Sequence, residues 1–309
     1  MPITERDLVT QRDKEYNTIV KLMTAEPINY DEIMCYAAKG GYIYIVTLMI
    51  EKGATHYNLA MCRAAEGAKT VTDYTSSSHM DIVKLMLEKG ADDYNCAMAY
   101  AAIGGNIDIV KLMLEKGARS YDKTMAYAAI GGYMDIITIM LEKGACDYDW
   151  TMSNAASNGH IGIVKLMLEK GAYRYNFAMC SAAKAGHIDI VKLMLEKGAN
   201  DYNVTMSIAA SRGHRDIVKL MLEKGANNYD NVISDAAVEG YIDVVKLMLE
   251  NKYNYVMYHA ARGGHSVIVK LMLEKGANDY DSSISVALDS GYSDVVKLIE
   301  EHKKVLDKN

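Results

Sequence analysis

Apolar residues recur along this chain at helical spacing in two successive bursts, and the pair of bursts returns every 27 residues. Residues 92–118, DDYNCAMAYAAIGGNIDIVKLMLEKGA, show one cycle. Met98, Ala101 and Ala102 share one helical stripe. Gly104 and Gly105 then break the pattern, as glycine does where a helix needs a left-handed stop. Ile109, Val110, Leu112, Met113 and Leu114 form a second, wider apolar face, with Lys111 and Glu115 left outside. The spacing predicts a first helix capped by Asn95, a tight turn, and a second helix that opens near Asp108 and stops at Gly117.

The phrase DIVKLMLEKG stands at Asp81–Gly90, Asp108–Gly117, Asp189–Gly198 and Asp216–Gly225. Near-copies end at Gly53, Gly144, Gly171 and Gly276. A fixed period of this length marks a stack of small units, each burying its apolar face on its neighbours. The Ala-Ala step places units at Ala37, Ala64, Ala101, Ala128, Ala155, Ala182, Ala209, Ala236, Ala260 and Ala287. The reading is one array over residues 1–309, with repeats over 30–293. Residues 2–26 form an N-terminal capping half-unit, in which Ile19, Val20, Leu22 and Met23 imitate a second helix. Residues 294–309 extend the last helix as a polar cap. Residues 68–77, AKTVTDYTSS, insert into the second unit as a Thr/Ser-rich loop. Three residues are lost before the ninth unit, where Asn251 takes the place of the stopping glycine.

The unit resembles the ankyrin repeat. Ala101-Ala102, Gly105, Ile109-Val110, Leu112-Met113-Leu114 and Gly117-Ala118 follow that family's AA..G...VV.LLL..GA in order. A leucine-rich repeat is excluded, since it needs an alternating strand and an Asn ladder. The family's period is about 33 residues, with a β-turn before each helix pair and a T-P-L-H opening. Here those four sites read Cys96, Ala97, Met98 and Ala99, and only Arg119, Ser120 and Tyr121 separate Ala118 from Asp122. Three residues cannot build a projecting finger. The expected fold is therefore an all-α, ankyrin-like helix-turn-helix solenoid of about ten repeats, lacking the β-hairpin fingers. The shortened, repetitive unit is similar to those of ankyrin proteins in large amoeba-infecting DNA viruses, which would place the chain in a host cytoplasm.

Composition narrows the function. A net charge of −6 with both signs interleaved argues against nucleic acid, which calls for a basic face. No run of 18 apolar residues exists, so no membrane span is expected, and the charged N-terminus MPITERDLVT is unlike a secretory signal. Cys35, Cys62 and Cys180 share one repeat site and lie a repeat step or more apart, too far for a disulfide; five buried free thiols are expected. His79, His160, His187, His214 and His265 share the turn before the second helix, spaced too widely to converge on zinc. No nucleophile–base pair, phosphate loop or HExxH motif occurs, so neither enzyme activity nor a cofactor is expected. A Tyr precedes each first-helix cap, filling the space of the missing finger.

The candidate binding residues are those the repeats do not share. The position after the predicted cap varies and includes Lys123, Trp150, Phe177, Val204 and Tyr255. The chain's single Trp and single Phe fall there in adjacent units. A second variable position, two before the second core Ala, includes Tyr100 and Tyr127. In the family that these repeats resemble, first helices line a concave binding face. The resemblance thus implies a non-catalytic protein-binding scaffold. A ubiquitin-ligase substrate adaptor and a structural component of a larger assembly are the alternatives; the adaptor role calls for an appended F-box-like segment, for which the flanks are too short.

Overall fold

The computed structural model describes residues 17–19, 21–23, 28–67, 75–249 and 252–306. Ten helix pairs run from Tyr30 to Leu306, and no strand occurs among the described residues. By internal packing the chain divides into two compact units, Met1–Ala172 with the first five pairs and Tyr173–Asn309 with the other five.

In the first unit the third repeat is typical. Its first helix, Tyr94–Gly104, buries Met98, Ala101 and Ala102 and ends on Gly105 at φ 80°. Its second helix, Ile107–Glu115, buries Ile109, Val110 and Met113. Leu112 and Leu114 are only partly covered, so the fully dry stripe is narrower than the sequence pattern. The alanine pair lets first helices of successive repeats pack closely. In the second unit the seventh repeat, Tyr202–Ala210 and Arg215–Glu223, buries Met206, Ala209, Ala210, Ile217, Val218 and Met221 in the same way. Flexible Met thus fills the space between layers in both repeats.

The cap assignment is corrected. Asn95 is not the N-cap: the helix begins at Tyr94, and Asp93 caps it by accepting from the Cys96 amide at 3.0 Å. Asn95 faces the following repeat, where its Oδ1 accepts from the backbone N–H groups of Arg119 (2.7 Å) and Ser120 (2.9 Å). The same clamp recurs from Asp31 to Thr55 and His56, from Asp122 to Cys146 and Asp147, and from Asn203 to Asn227 and Asn228. In these repeats one Asn or Asp satisfies two amides of a loop too short to pair with itself. Where three residues are missing, the helix Ile242–Met248 ends early at an extended Leu249, and Asp230 pairs with Lys252 instead. In the last repeat Asp281 likewise takes Lys303 at 2.9 Å. The second helix of the third repeat opens at Ile107 on an Asn106 cap, one residue ahead of Asp108.

Turns between paired helices carry a second inter-repeat device. The His160 ring lies against Gly132, with Nε2 donating to the Ile130 carbonyl at 3.1 Å. His79, His214 and His265 do the same for Lys39, Lys184 and Val238. These histidines are turn staples. Tyr133 replaces the ring in the fourth repeat, over Gly105. Of the inserted residues 68–77, 75–77 are helical, since Thr75–Glu88 is a single helix, while 68–74 lie outside the described residues, as does Asn251. Of the expected N-terminal half-unit, Ile19 is described and buried, Val20 lies outside the described residues, and so does most of 2–26. The expected C-terminal extension is the helix Ser293–Leu306, with Val295 and Ile299 inside.

Candidate functional site

Because the helix starts at Tyr, the variable position is the third helical residue rather than the first after the cap. The helices that carry Lys123, Phe177, Val204 and Tyr255 there have no side-chain cap. In some other repeats the capping side chain holds the backbone N–H of this residue, as Asp147 holds Trp150 N at 3.1 Å. The next residue, Thr151, is buried and donates to the Asp147 carbonyl. Trp150 therefore leaves a capped turn at its open edge.

In the first unit, Trp150 is 39% exposed. Its ring meets Tyr127 edge-to-face at 6.1 Å between centroids. Lys123 Nζ stands 5.5 Å from the Tyr127 centroid. Lys123, Tyr127 and Trp150, drawn from both variable positions, thus make one cluster, a cation on a ring and a ring against a ring. Tyr100, one repeat earlier, is half-buried.

In the second unit, Phe177 and Val204 are 59% and 54% exposed. With Tyr173, Tyr175, Cys180 and Ile208 they line a depression of about 680 Å³. Ile208 belongs to the second variable position, so the two positions converge here as well. Tyr255 is separate from this groove; its ring stacks edge-on against His259 at 4.6 Å. Burial, then the Arg262 charge, pushes the His259 pKa down.

A further depression of about 460 Å³ opens in the first unit among Asp31, Glu32, Tyr36, Leu59 and Arg63. Arg63 and Lys39 both hold Glu66 at 2.9 Å. Burial alone would raise the Glu66 carboxyl, but the two cations outweigh it and hold its pKa below the usual range. Sequence reasoning passed over this pocket because charged residues at variable sites carry no periodic signal.

The cysteines are less uniform than their shared register suggested. All five are free; Cys35 and Cys62 are buried, Cys96 and Cys180 partly covered, and Cys146 exposed. Burial pushes the Cys35 thiol up to about 11 and raises Cys62 and Cys180 as well.

No helix among the described residues is long and apolar enough to cross a membrane. A search of curated proteins gave no match. The family model for ankyrin repeats in three copies matches residues 34–124, 75–152, 152–232 and 179–256. Such repeats are in general modules of protein–protein interaction. With that match running from residue 34 to 256 and helix pairs in register through it, the protein belongs to the ankyrin-repeat family.

Proposed function

We propose that this protein is a non-catalytic scaffold that binds a partner protein through the variable residues of its first helices. The observation that carries this reading is that the largest side chains at that position stay uncovered. Trp150, Phe177 and Tyr255 keep between 39% and 59% of their surface on otherwise buried helices. Aromatic groups with restricted rotamers on a rigid frame are the usual anchors of a binding surface. Lys123, Tyr127 and Tyr100 accompany Trp150 in the first unit, and Val204 accompanies Phe177 in the second. The resemblance of the shortened unit to ankyrin proteins of amoeba-infecting viruses supports a host protein as partner, met in the host cytoplasm.

The test is the double variant Trp150→Ala, Phe177→Ala, compared with wild type in quantitative capture of partners from host lysate. The expected outcome is a loss of at least about 30-fold in affinity, which corresponds to about 2 kcal/mol, with far-ultraviolet ellipticity intact. Unchanged capture with a large fall in melting temperature would assign both rings to packing. Recovery of ligase subunits in complex would mark an adaptor.

A further inference from the structure

Cys62 and Cys96 stand at different repeat positions, and that offset brings them together. Cys62 lies on the inner side of the helix Tyr57–Gly67, and Cys96 on the third residue of Tyr94–Gly104. Asp93, the cap of the second of these helices, completes the group. Among the described residues this is the one set of three His, Cys, Asp or Glu side chains whose donor atoms all lie within 4.8 Å of one another. From these positions we infer that Cys62, Cys96 and Asp93 form a binding site for one thiophilic divalent cation of the zinc class.

The geometry suits such an ion. Zinc takes sulfur at about 2.3 Å and carboxylate oxygen at about 2.0–2.2 Å, so tetrahedral ligands stand roughly 3.5–3.8 Å apart. A contraction of about 1.3 Å at most, within the reach of side-chain torsions, closes the three donors on the metal. Asp93 Oδ1 accepts from the Cys96 amide at 3.0 Å, which orients the carboxylate and leaves Oδ2 for the ion. Cys62 is 2% exposed, whereas Cys96 is partly exposed, so the site is dry on one side and open on the other. That open side gives the ion an entry path and room for water as fourth ligand. Binding forms two metal–sulfur bonds and one metal–oxygen bond and releases the two thiol protons to solvent. The complex of one dication with two thiolates and a carboxylate carries a charge of about −1. The ion would join the second and third repeats and occupy, at Cys96, the same repeat position as Trp150.

The experiment uses the full chain, reduced and stripped with a chelator, and titrates it with cobalt(II) as a spectroscopic stand-in. One equivalent is expected to produce a thiolate-to-cobalt charge-transfer band with tetrahedral visible absorption, both bleached by zinc. Cys96→Ser should remove much of the band and weaken zinc by at least the 10- to 100-fold that losing an outer-shell partner costs. Asp93→Asn should weaken zinc while keeping the sulfur band, and Cys146→Ser should change neither. Absence of the charge-transfer band in wild type, or its persistence in Cys96→Ser, overturns the assignment. If Cys96→Ser alters the far-ultraviolet spectrum, Asp93→Asn decides, and unchanged zinc affinity in that variant overturns the site.

Discussion

Removing the clamp at Asn95 tests how a repeat without fingers holds to its neighbour. Asn95→Ala deletes one acceptor that serves two amides, Arg119 at 2.7 Å and Ser120 at 2.9 Å. A typical net hydrogen bond contributes about 0.5–1.5 kcal/mol, so two give roughly 1–3 kcal/mol. The side chain is exposed, and water can reach the freed amides, which pulls the expectation to about 1–2 kcal/mol, the range of an N-cap loss. Asn95→Asp keeps the acceptor and matches Asp31 and Asp122 at the same site, so it should cost under about 0.5 kcal/mol. Native-state amide exchange is the suitable assay, because a repeat array need not unfold in one step. In Asn95→Ala the Arg119 and Ser120 amides should lose protection by about 10-fold or more, at about 1.4 kcal/mol per tenfold, while the amides of Asn227 and Asn228, clamped by Asn203, keep theirs. Equal protection in wild type and Asn95→Ala, or equal loss in Asn95→Asp, would refute the clamp.

Other expectations concern the turns, the core and the thiols. Gly132 has φ 82° and a Cβ there would sit 2.6 Å from the His160 ring, whereas Gly117 at φ 98° faces open space. Gly132→Ala should therefore lower the denaturation midpoint well beyond Gly117→Ala, which meets only backbone strain of about 1–2 kcal/mol; equal costs would remove the ring from the account. Met113→Ala, at a fully buried site, should cost about 2–5 kcal/mol in equilibrium unfolding, and less than 1 kcal/mol would mean a looser core than described. A colorimetric thiol reagent near neutral pH should titrate exposed Cys146 first, with Cys35 and Cys62 silent until denaturant is added. Cys35 has its thiol raised from 9.0 to about 11, so the folded state holds that proton more tightly. Its contribution is fully present below about pH 9 and is lost as pH climbs through about 11. The stability of wild type relative to Cys35→Ala should fall over that window, and a flat difference would contradict the burial.

How much of this was legible follows from which residues repeat. The double helical period, Gly105 and Gly117 as stops, and the missing fingers were readable because each is local chemistry in a fixed register. The Asn95 role was misread for an instructive reason. Asp93 and Asn95 both make good caps, and sequence alone does not say which one turns toward the chain 24 residues on. The staple formed by His160 was equally invisible, since the signal is a ring in one repeat and a bare glycine in the previous one. Cysteine spacing compared only like positions, Cys35, Cys62 and Cys180, whereas the close pair joins unlike positions, Cys62 and Cys96. Among candidate binding residues, the Lys123–Tyr127–Trp150 cluster joins two variable positions that the sequence treated separately.

The central claim is that partner recognition belongs to the first-helix face. Two variants matched in number probe the two faces: Trp150→Ala with Phe177→Ala on first helices, and Lys165→Ala with Lys192→Ala on second helices, where both lysines are exposed. Binding of each, purified and folded, to partner recovered with wild type is measured by surface plasmon resonance. The account predicts that the first pair raises Kd at least about 30-fold and the second changes it less than about threefold. Loss of binding in the lysine pair with retention in the aromatic pair would contradict it.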